Sequence, residues 1–339
     1  MTQYRIAILS ATGAVGSELL RLLDEREFPV AAIRLLASPR SQGKALTFRG
    51  DHMPVMAVQE SSFEGVDLAF FSAGAEAARK WSPVAQEAGA TVIDNSSAFR
   101  MEPNVPLIIP EINWHKARKE TKYYPVGNCT GIILAMTLAP LRKFGHFRRI
   151  VVSTYQSASG AGARAVHELE EQARAFARGD ELKPNVLPYP ILFNLFSHNS
   201  PINDAGYNEE EWKVIHEVRK VLEQPELPIE VTCVRVPVQR AHSMSVNVEF
   251  DSPAPSVEAI REAVEAFPGL KLVDDRAANR FPMPMLAAGR DPVLVGRIRK
   301  DVSNPNAISL FACGDQLRKG AALNAIQIAE KLVESGYLT

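Results

Sequence analysis

One cysteine lies where a loop leads into an unbroken apolar stretch, in the segment Pro125–Met136, which reads PVGNCTGIILAM. A thiol at the start of a helix can be a nucleophile, because the N–H groups at a helix N-terminus stabilise the thiolate. A free cysteine is also a small apolar residue that often packs in a core. The stretch alone favours packing, so the choice depends on residues elsewhere in the chain.

A glycine turn follows the first apolar run of the chain. The segment Ser10–Gly16 reads SATGAVG and lies between a strand-like run and a helix-like one. In dinucleotide-binding proteins such a turn lets the backbone approach a pyrophosphate, which the helix N-terminus then binds. The first glycine of that pattern is Ser10 here, so a structural turn without a ligand explains this segment equally well.

The segment after the second strand-like run indicates which dinucleotide would bind. An NAD-specific fold carries Asp or Glu there, for the ribose hydroxyls. Ala37–Lys44 reads ASPRSQGK and has no acid, and the guanidinium of Arg40 between the hydroxyls of Ser38 and Ser41 suits a 2′-phosphate. An ordinary solvated loop is the alternative. Together with the glycine turn, the segment favours NADP over NAD.

The elements that must position these residues alternate in the first half of the chain. Short apolar runs followed by helical patterns predict βαβ units around a parallel sheet. The predicted strands are Arg5–Leu9, Ile33–Ala37, Asp67–Ser72 and Thr91–Asp94, and the predicted helices are Ser17–Asp24 and Glu76–Ala88.

The second half predicts an α+β arrangement. Met244, Val246, Val248 and Phe250 alternate with polar residues, which is typical of a sheet with one solvated face. The predicted strands are Arg149–Gln156, Ile229–Pro237, Ser243–Phe250 and Val293–Arg299, and the predicted helices are Ala163–Arg178, Glu209–Leu222, Val257–Phe267 and Leu317–Ser335. A proline-punctuated segment, Leu182–Gly206, is too long for a simple connection, and we expect it to be a functional excursion.

Composition limits the functions that the chain can have. With 339 residues it is long for a single core, so two domains are expected. The net charge of −1 gives no reason to expect a nucleic-acid or membrane partner, and no apolar run approaches the length of a membrane span. The N-terminal residues show no targeting signal.

The three cysteines, Cys129, Cys233 and Cys313, are far apart and form no CxxC pair. This spacing argues against a disulfide framework or a metal site, and it is typical of a protein in the reducing cytoplasm. Cys233 and Cys313 lie within apolar strand-like runs, and we expect both to be packed side chains.

The motifs taken together resemble aspartate-β-semialdehyde dehydrogenases over essentially the whole chain. One such motif would mean little, but ten in the family's order are specific. They are ATGAVG, ASPRSQGK, FSAG (Phe71–Gly74), IDNSSAFR (Ile93–Arg100), PEIN (Pro110–Asn113), GNCT (Gly127–Thr130), TYQSASGAG (Thr154–Gly162), the E-x-x-K of Glu210–Lys213, RVPVQRAHS (Arg235–Ser243) and DQLRKGAALN (Asp315–Asn324).

The resemblance implies a fold and an activity. The fold class is α/β: a Rossmann-type NADP-binding domain at residues 1–128 and 315–339, and an α+β catalytic and dimerisation domain at residues 129–314. The C-terminal helix returns to the first domain. The activity is NADPH-dependent reductive dephosphorylation of L-aspartyl-4-phosphate to L-aspartate 4-semialdehyde and phosphate. This reaction belongs to the biosynthesis of lysine (through diaminopimelate), threonine and methionine.

The family chemistry needs a nucleophile that also leaves, and a thiolate does both through a thioester. The resemblance implies Cys129 for this role, with the amide of Asn128 helping to stabilise the oxyanion and Gln156 orienting the reactants. His242 is implied as the acid/base that takes the thiol proton and later protonates the hemithioacetal oxygen.

The resemblance also assigns binding residues. Arg235 would bind the substrate carboxylate and Glu210 its ammonium group. Lys213 and Arg100 would bind the phosphate, and Gln156 would also contact the substrate. The implied cofactor residues are Thr12, Gly13, Ala14, Val15, Gly16, Ser38, Arg40, Ser41, Ser72, Ala73, Gly74, Ser159, Gly160 and Gln316.

Three positions depart from the family pattern: Ser10 replaces the first glycine, Thr130 follows the cysteine where Ser is common, and Gln316 stands where Asn is frequent. An enzyme like N-acetyl-glutamyl-phosphate reductase, which shares the fold and thiol chemistry but binds no free ammonium, is one alternative. A non-catalytic relative acting as a binding protein is the other. The family implies a homodimer or homotetramer, with interfaces on the second domain.

Overall fold

The computed structural model describes residues 2–338, which divide into two compact units. The N-terminal unit covers the described residues up to Asn128 together with those from Ala321 onward, and the central unit is Cys129–Gly320. The second boundary falls a few residues after the expected one at 314/315. The reason is that Asp315 and Gln316 bond inside the central unit. Asp315 accepts a hydrogen bond from Arg240 Nε at 2.6 Å, and Gln316 accepts one from the backbone N–H of Ala241 at 2.8 Å.

The strands, in chain order, are β1 Tyr4–Leu9, β2 Val30–Ala37, β3 Ala45–Phe48, β4 Asp51–Ala57, β5 Leu68–Phe71, β6 Thr91–Asp94, β7 Tyr123–Pro125, β8 Phe147–Gln156, β9 Phe196–Ser197, β10 Ile229–Arg235, β11 His242–Phe250, β12 Leu270–Leu272, β13 Val293–Lys300 and β14 Ala307–Gly314. The α-helices are α1 Ala14–Glu25, α2 Ala75–Glu87, α3 Pro110–Asn113, α4 Cys129–Leu138, α5 Ala163–Arg178, α6 Glu209–Val221, α7 Val257–Ala266, α8 Pro284–Ala287 and α9 Leu323–Glu334.

The sheet of the N-terminal unit has the strand order β3-β4-β2-β1-β5-β6-β7. Its pairs are parallel except for the β3–β4 hairpin. The chain leaves β1 toward β2 through α1 and later returns to pair β5 with the other side of β1. The carboxyl ends of β1, β2 and β5 therefore meet at a topological switch point, where sheets of this kind bind ligands.

The predicted α/β fold class is confirmed, and most predicted elements of this unit lie within a few residues of the observed ones. The hairpin β3–β4 was not predicted. Its second strand contains Pro54 and exposed polar residues, and the turn between the strands consists of Arg49 and Gly50. These residues interrupt the alternation of apolar and polar side chains from which a strand is predicted.

The C-terminal helix belongs to the N-terminal unit, as predicted. Asn324 Nδ2 donates to the backbone carbonyl of Ile108 at 3.0 Å, and Arg26 forms two hydrogen bonds with Glu330 at 2.7 and 2.8 Å. The predicted start of this helix was wrong: a π-helical turn occupies Arg318–Ala322, and the α-helix begins at Leu323.

The sheet of the central unit has the order β12-β13-β14-β11-β8-β10-β9 and mixes parallel and antiparallel pairs. The alternation predicted for β11 is observed, since Met244, Val246, Val248 and Phe250 are all buried. Helix α4 is buried throughout from Thr130 to Leu138 and packs against α6, β13 and β14. A helix that is apolar on every side must be covered in this way.

Candidate active site

The central sheet brings three sequence-predicted residues to one edge. Gln156 ends β8, and its register partner Arg235 ends the parallel strand β10. His242 begins β11, which runs antiparallel to β8, so its first residue comes to the same edge. All three side chains are buried. The topology therefore collects an amide, a guanidinium and an imidazole from separate parts of the sequence.

Cys129 is partly exposed and is the first residue of α4. Its Sγ lies 4.0 Å from Thr130 Oγ1, which accepts a hydrogen bond from Gln156 Nε2 at 2.6 Å. The same amide nitrogen also donates to Glu210 Oε1 at 2.8 Å. Gln156 is thereby held beside the thiol. Gly320 packs against Cys129, and a Cβ at this position would lie 2.9 Å from Cys129 Cβ.

The three consecutive glutamates at the start of α6 have different partners. Glu210 bonds to Gln156, whereas Glu209 pairs with Lys213 at 2.6 Å. Glu211 forms a capping box with Asn208 and accepts the backbone N–H of Cys233. Glu210 is therefore the carboxylate near the thiol, in the register that the E-x-x-K spacing predicted.

Arg235 is held by two fixed partners. Its Nη1 donates to the Ser157 carbonyl at 2.8 Å, and its Nη2 lies 2.9 Å from His198 Nε2. Burial lowers the pKa of the guanidinium, while the negative charges of Glu210 and of the Cys129 thiolate oppose that shift. Within residues 2–338, Nε of Arg235 has no hydrogen-bond partner.

His242 is fully buried, and its Nδ1 accepts the backbone N–H of Ser157 at 3.1 Å. Burial, together with the positive charge of Arg235, lowers the pKa of His242 to about 3. The ring is therefore neutral near pH 7 and carries its proton on Nε2. This atom has no hydrogen-bond partner among residues 2–338.

This tautomer suits one of the two proton transfers predicted for His242, and both stay predictions. Nε2–H can donate to a developing oxyanion or alkoxide, as predicted. Taking the thiol proton at Nε2 would instead require the other tautomer. Its Nδ1–H could donate to Ser157 Oγ, 3.1 Å away, but would lose the hydrogen bond from the Ser157 N–H. The geometry supports the donor step and disfavours the acceptor step.

Gly160 lies against both His242 and Arg235. A Cβ at this position would be 2.9 Å from Cε1 and Nε2 of His242 and 3.0 Å from Arg235 Nη1. The turn that carries it is fixed to the β10–β11 loop, because Ala158 and Ser159 donate backbone hydrogen bonds to Val238 and Gln239. The absent side chain leaves the faces of the two catalytic candidates open.

Gln316 holds the start of β11. Its Nε2 donates to Ser159 Oγ, and its Oε1 accepts the N–H of Ala241, which has the left-handed φ of 77°. Such strain in a non-glycine residue needs support from its surroundings. Gln316 supplies that support immediately before His242, in addition to the cofactor contact that the sequence predicted.

The cofactor residues predicted in the N-terminal unit share the carboxyl edge of its sheet. Ser10 has a φ of 70°, and Gly13 N–H donates to the Ser10 carbonyl at 2.9 Å. A Cβ on Gly16 would lie 2.3 Å from that carbonyl, so only glycine fits there. Helix α1 starts at Ala14 without a side-chain cap or an acidic residue in its first turn. This open N-terminus fits a pyrophosphate.

The segment after β2 lies beside the glycine turn. Thr12 Oγ1 donates to Ser41 Oγ at 3.5 Å, and Arg40 is exposed in the same short turn as Ser41. Ser72, after β5, donates to the Leu9 carbonyl at 3.2 Å. These residues fit a nicotinamide dinucleotide at the switch point.

The roles predicted for Arg100 and Asn128, like those of the other predicted site residues, stay predictions. Arg100 is buried in the N-terminal unit and donates to the Asn95 carbonyl at 2.7 Å, and Asn128 is the last residue of that unit before Cys129. Their assignments to the phosphate and to the oxyanion stay predictions. Cys233 and Cys313 are fully buried, as expected, and burial raises the pKa of both thiols, that of Cys313 to about 11.

One residue of this edge was missed from the sequence. His198 contacts Arg235 from the excursion Leu182–Gly206. A lone histidine in an irregular, proline-punctuated segment carries no local signal, and only the folded chain brings it to Arg235.

Comparison with known proteins decides the family. The semialdehyde dehydrogenase NAD binding domain matches residues 5–120, and the semialdehyde dehydrogenase dimerisation domain matches residues 138–319. The aspartate-semialdehyde dehydrogenase of Synechocystis sp. is 53% identical over 334 residues, covering 98% of both chains. The chain belongs to the aspartate-semialdehyde dehydrogenase family. The Bacillus subtilis aspartate-semialdehyde dehydrogenase is 41% identical over 334 residues, covering 96% of each chain.

Solved structures agree with this assignment. The crystal structure of aspartate semialdehyde dehydrogenase II from Vibrio cholerae has a TM-score of 0.94 and 40% identity, covering 98% of this chain and 99% of that one. The same Vibrio enzyme complexed with ASA gives a TM-score of 0.95 at 39% identity. Within residues 2–338, no helix is both long and apolar enough for a transmembrane segment. The same residues contain no group of three or more His, Cys, Asp or Glu side chains arranged for a metal ion.

Proposed function

We propose that the protein catalyses the NADPH-dependent reductive dephosphorylation of L-aspartyl-4-phosphate to L-aspartate 4-semialdehyde, with Cys129 as the covalent nucleophile. The observation that supports it most is a set of unpartnered buried atoms. Gln156 Oε1, Arg235 Nε and His242 Nε2 have no hydrogen-bond partner among the residues that the structure describes. Buried polar atoms are nearly always bonded, so three at one sheet edge point to a polar ligand.

Arg235 and Glu210 match the two charged groups of the substrate's amino-acid end. Arg235 Nε and a neighbouring N–H can bind the α-carboxylate, since a guanidinium matches a carboxylate with two parallel hydrogen bonds. Glu210 is buried beside Gln156 and supplies the negative charge that an ammonium requires. An acylated amine has no positive charge for that carboxylate to bind, so Glu210 favours the aspartyl substrate over the N-acetyl-glutamyl one.

The chain's residues can then perform each step. The Cys129 thiolate, stabilised at the start of α4, attacks the acyl carbon, phosphate leaves, and a thioester remains on Sγ. When bound, the nicotinamide cofactor supplies the hydride that reduces this acyl group. The Nε2–H of His242 protonates the hemithioacetal oxygen as the hydride arrives. When the C–S bond breaks, Cys129 leaves as the thiolate, the aldehyde C=O forms, and the hydroxyl proton returns to Nε2 of His242. Lys213 and Arg100 remain our candidates for the phosphate.

We further propose NADP as the cofactor. The switch-point edge of the N-terminal sheet has no acid for ribose hydroxyls after β2 and has Arg40 between two serines. Arg40→Ala is expected to raise the KM for NADP by about 10-fold and to change the KM for NAD by less than about 3-fold, because only NADP carries the 2′-phosphate. Equal increases for both cofactors would show that Arg40 only shapes the loop. Lys44→Ala, four residues along the same loop, is the control.

A homodimer or homotetramer is the proposed assembly. Tyr189, Phe193, Leu195 and Ile202 of the excursion are each more than half exposed, and Phe193 stacks edge-on against the exposed Phe176. Aromatic surface of this kind usually marks an interface. We propose that a second copy covers it, and sedimentation equilibrium measures this directly. The free thiol chemistry suits a reducing cytoplasm.

The activity is tested by incubating purified protein with aspartate semialdehyde, NADP and phosphate, and recording NADPH formation. We expect turnover that depends on phosphate and is absent with N-acetyl-glutamate semialdehyde. Turnover of only the acetylated substrate would support the alternative enzyme. Binding of NADP without turnover of either substrate would indicate a non-catalytic relative.

A further inference from the structure

His198 lies between Arg235, which we propose binds the substrate carboxylate, and the start of α6. Its Nε2 is 2.9 Å from Arg235 Nη2, and its Nδ1 is 3.1 Å from Ser200 Oγ. The same Ser200 Oγ accepts the backbone N–H of Glu210 at 3.1 Å. The backbone N–H of His198 donates to the Cys233 carbonyl at 2.9 Å, which fixes the ring's attachment beside β10. The contacts form one continuous chain from α6 to Arg235.

The hydrogen-bond directions in this chain are determined. Arg235 Nη2 can only donate, so His198 Nε2 must accept. A neutral ring then carries its proton on Nδ1 and donates it to Ser200 Oγ. Protonated His198 would have no acceptor for Arg235 and would place a second positive charge against the guanidinium.

We propose that neutral His198 is a positioning residue for carboxylate recognition: it fixes the Arg235 guanidinium so that the unpartnered Nε–H faces the substrate. The proposal rests on the proposed function of Arg235. Ser157 holds Nη1 and His198 holds Nη2, so the plane of the guanidinium has two restraints. Only one of them, His198, can be changed without altering the backbone that also positions His242.

The excursion Leu182–Gly206 carries His198 and is held in place by hydrogen bonds. Two buried side chains of α5 anchor it to the central unit. Glu168 Oε2 accepts the backbone N–H of Asn185 at 2.9 Å, and Gln172 Oε1 accepts those of Ile191 and Leu192 at 2.9 and 3.0 Å. The excursion is therefore anchored on both sides of Pro188 and Pro190, and it places His198 beside Arg235.

Burial is the main reason that His198 stays neutral in the working range. Burial lowers the pKa of His198; the charges of Arg235 and Lys213 lower it further, and those of Glu210 and Glu209 oppose them. As the pH falls and His198 is protonated, the hydrogen bond from Arg235 is lost. The semialdehyde KM of the wild type should then rise at acid pH.

Two variants of His198 separate positioning from a general structural role. The amide oxygen of Gln reaches approximately the place of Nε2, whereas that of Asn reaches only the place of Nδ1. His198→Asn is expected to raise the semialdehyde KM by about 10-fold, with kcat within about 3-fold and the NADP KM unchanged. His198→Gln is expected to keep the KM within about 3-fold of the wild type. In an Arg235→Lys background, His198→Asn should add less than about 2-fold.

An unchanged KM in His198→Asn would overturn the proposal, and so would equal losses in the Asn and Gln variants or a loss confined to kcat. The turnover of the wild type tests the proposed function separately. A readout without turnover comes from ¹⁵N NMR of the imidazoles at pH 7. A neutral Nδ1–H ring for His198 that changes in Arg235→Lys supports the proposal, and an Nε2–H or doubly protonated ring contradicts it.

Discussion

Replacing Gly160 with alanine tests whether the open space over His242 and Arg235 is needed for catalysis. The new Cβ would lie 2.9 Å from two atoms of the imidazole and 3.0 Å from the guanidinium. Real Cβ atoms almost never approach so closely, so the rings must move by roughly 0.5–1 Å to restore ordinary contact. Both side chains are buried and hydrogen-bonded, His242 to Ser157 and Arg235 to Ser157 and His198, so neither can move without weakening those bonds.

The expected effect follows from that displacement. Misplacing a reacting group by about 1 Å costs roughly 100-fold in rate, and overpacking a tight site costs about 1–3 kcal/mol of unfolding free energy. Gly160→Ala should therefore lower kcat about 100-fold. Its melting temperature should fall by only several degrees.

The assay is steady-state kinetics in the direction of NADPH formation, with semialdehyde and NADP varied separately. Ala161→Ser, at the exposed next position of the same turn, is the matched control and should keep wild-type kinetics. A Gly160→Ala variant with normal kcat would refute the reasoning. A rise in the NADP KM alone would show that Gly160 is only a cofactor contact.

Two further predictions concern stability. Ser10 has a left-handed φ of 70°, which costs a non-glycine residue about 1–2 kcal/mol, and Ser10→Gly removes this strain. The greater entropy of glycine in the unfolded chain offsets about 0.5 kcal/mol of the gain, so the melting temperature should rise by a few degrees. A lower melting temperature would mean that the Ser10 hydroxyl stabilises the turn. His242 is buried neutral with a pKa of about 3, whereas the unfolded chain takes up this proton below the ordinary value of 6.5. The contribution of neutral His242 to the free energy of unfolding is thus complete above pH 6.5. It is lost as the pH falls toward about 3, because the unfolded state then binds more protons than the folded state. Denaturant midpoints should drop between about pH 7.5 and 4.5 in the wild type and drop less in His242→Gln; identical drops would assign the effect to other groups.

Helices and strands with a clear hydrophobic periodicity could be predicted from the sequence. Helix α5 was predicted with the bounds that the structure shows, and the alternation in β11 located the buried face of the strand that His242 begins. The short strands β3, β4 and β7 could not be predicted, since each is too brief or too interrupted to show a period.

The site divides in the same way. Resemblance to the family's motifs was enough to propose Cys129, Gln156, Arg235 and His242 as one group, and the sheet register brings the last three to one edge. The tautomer of His242 and the contact between His198 and Arg235 depend on hydrogen bonds between residues far apart in the chain. The π-helical turn that packs Gly320 on Cys129 likewise depends on tertiary contacts and not on local propensity.

The central claim is that Cys129 carries the acyl group, and intact-mass and peptide mass spectrometry test it most directly. The protein is incubated with aspartate semialdehyde and NADP while phosphate is withheld, so that the thioester cannot be discharged to aspartyl phosphate. We predict one equivalent of NADPH and one aspartyl adduct, located on the peptide that contains Cys129 and removed by adding phosphate. Cys129→Ala should fold, bind NADP and form neither product. An adduct on Cys233 or Cys313, or sustained turnover by the alanine variant, would contradict the mechanism.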